Sequence, residues 1–208
     1  PINLASHAEQ ALAPIIIFDL GGVLVGLDWD RACTPFTHLS DQSYDFVMAE
    51  IENGPIVESS MLGHLTPHEF HRAICNKLHM DIEYDSFVKL WNEILKPDEE
   101  IAAYVTQLAE SHTLVLASNT DDIHFPYSKE HFGVLKSFDR YFLSHEMGLL
   151  KPDPAYFHHV LYELWASPAS CIFIDDRVSN VRSAQNLGIK GLIFESLSQL
   201  KSDLTSIL

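Results

Sequence analysis

Three apolar runs of this 208-residue chain end in side chains able to do chemistry. Asp19 closes "IIIFD", Ser118 and Asn119 close "LVLASN", and Asp175 and Asp176 close "CIFIDD". A lysine, Lys151 in "MGLLKPDP", stands ahead of the third run. One aspartate after a strand is usually a turn or cap residue. Three such endings with a lysine between the second and third say more than any one of them. Carboxylates drawn to one place repel, so one must hold a proton or a cation must join them. Oxygen donors with few nitrogens favour a hard cation, Mg²⁺ first. Lys151 would neutralise the cluster and hold a phosphate.

The elements that must bring these residues together are short and apolar. "IIIFDL" is rich in β-branched residues and fits a strand buried on both faces of a parallel sheet. "TLVLASNT" and "CIFIDD" repeat the pattern, with "GLIF" at 191–194 and "RYFLS" at 140–144 as further candidates. Helical patterns alternate with them: "DEEIAAYVTQLAESH", then "DPAYFHHVLYELWA" with Pro154 in its first turn, then "SNVRSAQNLG" ending on a capping Gly188. Alternation at this spacing predicts an α/β fold, a doubly wound parallel sheet. In such sheets ligands bind at the carboxyl ends of the strands, so residues about 100 and 150 positions apart should meet at one edge.

Residues 30–97 read differently. They carry helical patterns and no convincing strand, with a capping box from Thr66 to Glu69 and a stripe of Phe87, Leu90, Trp91 and Ile94. The expected organisation is a core of residues 1–29 and 98–208 with a small helical cap of residues 30–97 inserted after the first strand.

Charge and cysteine content narrow the partners. Thirteen Lys+Arg against 29 Asp+Glu give a net charge of −16, which argues against nucleic acid or anionic membrane as a partner. A phosphorylated substrate must then be held locally, by a cation, a lysine or helix N-termini. Cys33, Cys75 and Cys171 show neither zinc spacing nor a disulfide framework. The start, "PINLASHAEQALAP", lacks the charged and apolar regions of a signal peptide, and no run is long enough to span a membrane. A cytoplasmic protein with reduced thiols is expected.

Taken in order, "FDLGGVLV", "ASNT", "KPDPAYF" and "IDDRVSNV" resemble the four motifs of the haloacid dehalogenase superfamily of hydrolases, over nearly the whole chain. The cap position resembles its subgroup with a helical cap between the first two motifs. "FDLGGVLV" and "SHEMGLLKPDPAYF" look most like the branch of the epoxide hydrolase N-terminal phosphatase domain and bacterial glucose-1-phosphate phosphatases. The resemblance implies a Mg²⁺-dependent phosphatase acting on a small phosphorylated metabolite, a sugar phosphate by class. It makes Asp19 the nucleophile that becomes an aspartyl-phosphate. Ser118 and Asn119 would bind phosphate oxygens, and Lys151 would steady the nucleophile and the developing charge. Asp19, the Gly21 carbonyl and Asp176 would hold the metal, with Asp175 nearby or through water. Asn180 would support that loop.

One position departs from the pattern. Most phosphatases of this superfamily carry a second aspartate two residues after the nucleophile, to protonate the leaving oxygen and then activate water. Here Gly21 stands there, and general acid–base help is typically worth ~10²–10⁴-fold. A substrate with a good leaving group would need it less. Asp28, Asp30 or His124 could substitute, though each reads first as a turn, cap or surface residue. A non-catalytic phosphate binder is the alternative. A true 2-haloacid dehalogenase would have a tyrosine at that position, and Gly21 with the paired Asp175–Asp176 speaks against it. His64, His68 and His71 lack the HExxH zinc spacing and are expected at the surface or inside the cap.

Overall fold

The computed structural model describes residues 13–208. Residues 1–12, on which most of the reading of the chain's start rests, lie outside them. The first strand, β1 (Ile15–Phe18), is the apolar run before Asp19. A tight turn leads to β2 (Val25–Leu27). Asp28 then caps α1 (Trp29–Leu39), accepting a hydrogen bond from the Arg31 N–H at 3.1 Å. Four more helices complete the insert: α2 (Tyr44–Asn53), α3 (Pro55–Met61), α4 (Pro67–Leu78) and α5 (Tyr84–Asn92). The capping box of α4 forms as the sequence predicts. Thr66 Oγ1 accepts from the Glu69 N–H at 3.3 Å, and Glu69 accepts from the Thr66 N–H at 2.9 Å.

The insert closes with a strand the sequence reading did not find. β3 (Leu95–Pro97) pairs antiparallel with β2, Leu27 opposite Leu95. Three residues ending in proline carry no alternation to read. The pair is only two strands wide, so Pro97 sits where a missing N–H costs nothing.

The core resumes with α6 (Glu99–Leu108), β4 (Leu114–Ser118), α7 (His124–His131), β5 (Arg140–Leu143), α8 (Ser144–Met147) and α9 (Pro154–Leu164). It ends with β6 (Cys171–Asp175), α10 (Val178–Asn186), β7 (Lys190–Ile193) and α11 (Leu197–Ile207). The main sheet has the order β5-β4-β1-β6-β7 with every pair parallel. Its central strands are covered on both faces, which is why they read as unbroken apolar runs. Ile16, Phe18, Leu114, Leu116, Ile172 and Ile174 pack toward α6 and α11. Ile17, Val115, Ala117 and Phe173 pack toward α9 and α10. The insert has its own core, built on Phe36, Phe70, Phe87 and Trp91, and Ile123 from the main body is buried within it. No helix among the described residues is long and apolar enough to cross a membrane. The three cysteines are free.

Candidate active site

Because β1 lies between β4 and β6, the three polar strand ends converge. Asp19 Oδ1 accepts from its neighbour's Leu20 N–H at 2.7 Å and lies 2.9 Å from Lys151 Nζ. The same ammonium donates to Asp175 Oδ2 at 2.7 Å and to the Ala117 carbonyl at 2.8 Å. Its three hydrogens therefore have three acceptors. Burial opposes the charge on Lys151, but Asp19 and Asp175 outweigh it and its pKa is raised.

The two neighbouring aspartates of β6 have different surroundings. Asp175 is fully buried, and its two oxygens take hydrogen bonds from Lys151, from Asn180 Nδ2 at 3.0 Å each, and from the Arg177 N–H at 2.8 Å. Asn180 thus holds the loop through Asp175. Asp176 is exposed, and its carboxylate has no hydrogen bond among the described residues. Each of Asp19, Asp175 and Asp176 offers an oxygen within 4.8 Å of the others. Burial first, then Asp175, pushes the Asp19 carboxyl up to about 7 against the pull of Lys151. Burial and Asp175 also raise Asp176. A partly buried all-oxygen cluster in which Asp19 and Asp176 resist ionisation is the environment a hard divalent cation relieves, so the residues fit Mg²⁺.

The two glycines after Asp19 have different reasons. Gly22 has φ +79°, and a Cβ there would lie 2.4 Å from Asp176 Oδ2. Only glycine allows that approach. A Cβ on Gly21 would make ordinary contact with Leu27 at 3.4 Å, so that position has room for a side chain.

Ser118 is buried at the end of β4 beside Asn119. The Asn119 side chain, expected on phosphate, holds the backbone of Lys151 at both amide atoms: Nδ2 donates to the Lys151 carbonyl at 2.8 Å, and Oδ1 accepts from its N–H at 2.9 Å. It fixes the lysine's place, a contact between residues 32 apart that no local pattern reveals.

A chamber of about 200 Å³ stands over Asp19. Its core side carries Ser118, Lys151 and Asp176, and its insert side carries Ile51, Val57, Met61 and Trp91. Through Glu52, Asn119 and Arg177 it continues into an outer cavity of about 600 Å³, where Glu58 and Asp153 add polar groups.

A second cluster on the chamber wall involves a residue the sequence reading did not single out. Asp121, fully buried, accepts from Trp91 Nε1 at 3.1 Å and from the N–H groups of Ile123 and His124 at 2.8 and 2.7 Å. His124 Nδ1 lies 3.2 Å from Asp121, and Nε2 lies 2.9 Å from the Trp91 carbonyl. A carbonyl only accepts, so Nε2 carries a proton, and the Asp121 carboxylate beside Nδ1 favours the charged ring and raises its pKa against burial. His124, expected as a turn, cap or surface residue, opens α7 and lies stacked on Trp91, half-hidden in the wall. The spacing of Asp121 and His124 at the start of α7 was the available signal. Of the other two candidate acids, Asp28 caps α1 and Asp30 accepts from the Tyr44 hydroxyl at 2.5 Å. His71 Nε2 donates to the Ile82 carbonyl at 2.8 Å and the ring packs on Phe87 inside the insert, as expected for a cap histidine.

A parallel five-stranded sheet, a helical insert after its first strands and carboxylates gathered at its edge define a class. The chain belongs to the haloacid dehalogenase-like hydrolases, whose family model matches residues 14–188. It is 27% identical over 203 residues to D-ribitol-5-phosphate phosphatase of Bacteroides thetaiotaomicron, covering 93% of this chain and 97% of that one. It is 26% identical to a sesquiterpene phosphatase of Aspergillus oryzae, over 85% of this chain and 87% of that one. A crystal structure of a family enzyme from Bacteroides thetaiotaomicron, in complex with magnesium and inorganic phosphate, superposes with a TM-score of 0.81 at 28% identity, covering 90% and 98% of the two chains.

Proposed function

We propose that the protein is a Mg²⁺-dependent phosphatase that hydrolyses a small phosphorylated metabolite, a sugar or polyol phosphate by class, through an aspartyl-phosphate. The observation that carries this reading is the Asp19–Lys151–Asp175 network with Asp176 left free beside it. The ribitol phosphate relative and the magnesium and phosphate bound in the similar crystal structure support it. Asp19 attacks phosphorus, and Lys151 holds its carboxylate in place and offsets charge as the bond forms. Ser118 and the backbone around Asn119 receive the phosphate oxygens. Asp19, Asp176 and the Gly21 carbonyl would hold Mg²⁺, with Asp175 behind them. When bound, the ion would neutralise phosphate charge and align the phosphoryl group. The apolar insert wall keeps bulk water from the reacting centre, and the outer cavity's Glu58, Asp153 and Arg177 suit a hydroxyl-bearing substrate. Within the family, the motifs support a place near the epoxide hydrolase N-terminal domain and glucose-1-phosphate phosphatases. Free cysteines fit action in the cytoplasm.

A panel of phosphate monoesters with p-nitrophenyl phosphate, with and without Mg²⁺, tests this. Metal-dependent turnover abolished by Asp19→Asn is the expected result. The vacancy at Gly21 favours one other reading, a phosphate-ligand binder without turnover. Thermal stabilisation by substrates with no phosphate released would establish that reading and overturn the phosphatase.

A further inference from the structure

Phosphoryl transfer to Asp19 leaves a proton to be supplied. The nucleophile attacks from the end of β1, and displacement is in line, so the leaving oxygen departs on the opposite side of phosphorus, toward the insert. The water that later cleaves the aspartyl-phosphate must approach along the same line. One acid–base group on the insert side of the chamber could therefore serve both half-reactions.

The titratable side chains lining the chamber are Asp19, Glu52, His124, Lys151, Asp176 and Arg177. Asp19 is the nucleophile, and Lys151 has all three hydrogens engaged. Asp176 belongs to the core side with the metal donors. Arg177 does not release a proton in this range. His124 has its two ring nitrogens occupied, Nδ1 3.2 Å from Asp121 and Nε2 2.9 Å from the Trp91 carbonyl, so giving up a proton would weaken a contact that holds the ring. Glu52 remains. It comes from the last turn of α2, on the insert, is half-buried, and lines both the chamber and the outer cavity. No hydrogen bond or ion pair engages its carboxyl among the described residues, whereas Glu50, two residues earlier, pairs with Lys77 at 3.2 Å.

We propose that Glu52 is the general acid and base of the reaction, delivered by the insert in place of the aspartate that Gly21 lacks. This rests on the phosphatase reading above. In the first half-reaction Asp19 forms its bond to phosphorus as the P–O bond to the leaving group breaks. The leaving oxygen keeps the electron pair and takes the Glu52 proton. In the second, the Glu52 carboxylate removes a proton from water as the water oxygen bonds to phosphorus. The bond to Asp19 breaks, inorganic phosphate leaves, and both carboxyl groups return to their starting states.

Glu52→Gln keeps size and polarity and cannot exchange the proton. It should lower kcat/KM for alkyl phosphates such as ribitol 5-phosphate by ~10²–10⁴-fold. For p-nitrophenyl phosphate, whose leaving group needs no acid, kcat/KM should be unchanged. Its kcat should fall, because the aspartyl-phosphate now waits for water, and one nitrophenolate per enzyme should appear as a burst. Glu52→Asp should restore part of the alkyl phosphate activity. Equal loss of kcat/KM on both substrate types, a rise in KM alone, or no effect would each overturn the assignment. Wild-type p-nitrophenyl phosphate turnover that needs Mg²⁺ and is lost in Asp19→Asn upholds the phosphatase reading whatever Glu52→Gln does. Absence of that turnover overturns both.

Discussion

The Trp91 indole N–H, at the end of the insert's last helix, donates to the Asp121 carboxylate of the core at 3.1 Å. The return contact runs from His124 of the core to the Trp91 carbonyl at 2.9 Å. The insert and the loop after β4 are thus tied in both directions at one residue. Trp91→Phe keeps a ring beside Phe87 and leaves the buried carboxylate without one donor. It should cost ~1–3 kcal/mol, read as a lower urea midpoint.

The same cluster sets a pH dependence. Burial works against the charged His124 ring, but the Asp121 carboxylate outweighs it and the pKa is raised from 6.5. A raised folded pKa gives a contribution that is complete below the unfolded value and lost as pH rises through the folded one. Burial alone would raise Asp121, but the His124 charge and hydrogen bonds hold it well below its usual 3.8. Its contribution is present above that value and lost as pH falls through the depressed one. The stability gap between wild type and His124→Gln should therefore be widest between roughly pH 4 and 6.5 and shrink toward alkaline pH. Urea titrations across pH would show it, and a gap that widens on the alkaline side would reverse the assignment.

Lys151→Met removes the only ammonium contacting Asp19 and Asp175 among the described residues. Breaking a buried pair leaves uncompensated charge, so the variant should lose ~3–5 kcal/mol near neutral pH, with turnover lost as well. Lowering the pH from the alkaline side should return part of the stability, because without the pull of Lys151 the Asp19 carboxyl, held near 7 in its presence, takes up its proton at higher pH. A pH series of thermal melts would reveal that recovery.

Gly22→Ala and Gly21→Ala should differ sharply. The first drives a Cβ into Asp176 at a backbone angle alanine disfavours, so Mg²⁺ should no longer raise the melting temperature. The second meets only Leu27 and should keep the Mg²⁺ response. Thermal shift assays with and without the metal compare them directly.

If Glu52 carries the proton, a carboxyl restored at position 21 should matter only when Glu52 is disabled. Gly21→Asp alone should change alkyl phosphate turnover little. Added to Glu52→Gln, it should recover part of the lost kcat/KM, a coupling that a double-mutant cycle measures.

Strands β1, β4 and β6 were legible because burial on both faces leaves a run of apolar residues with a polar residue at its end. Their convergence followed from the parallel-sheet rule, whereas the roles expected of Asp19 and Lys151 came from the resemblance of the motifs to the family. β3 was not legible, because three residues ending in proline have no periodicity. Nor was Asp121, whose partner Trp91 lies 30 residues away on another element. His124 read as a turn, cap or surface residue because a lone histidine at a helix start reveals neither of the groups its ring meets. Glu52 looked like one of many acids on a −16 chain. Only the chamber's geometry sets it apart, as the one titratable side chain that the insert brings to the lining.

Ile123 is inserted into the hydrophobic interior of the insert, flanked by the two residues that grip Trp91. A deletion that excised the helices and rejoined the flanking strands would strand an apolar side chain in water and leave an aspartate and a histidine facing an empty socket. The insert is therefore no detachable lid: the loop after β4 completes its fold, and grafting it onto another sheet would require transplanting residues 121–124 with it.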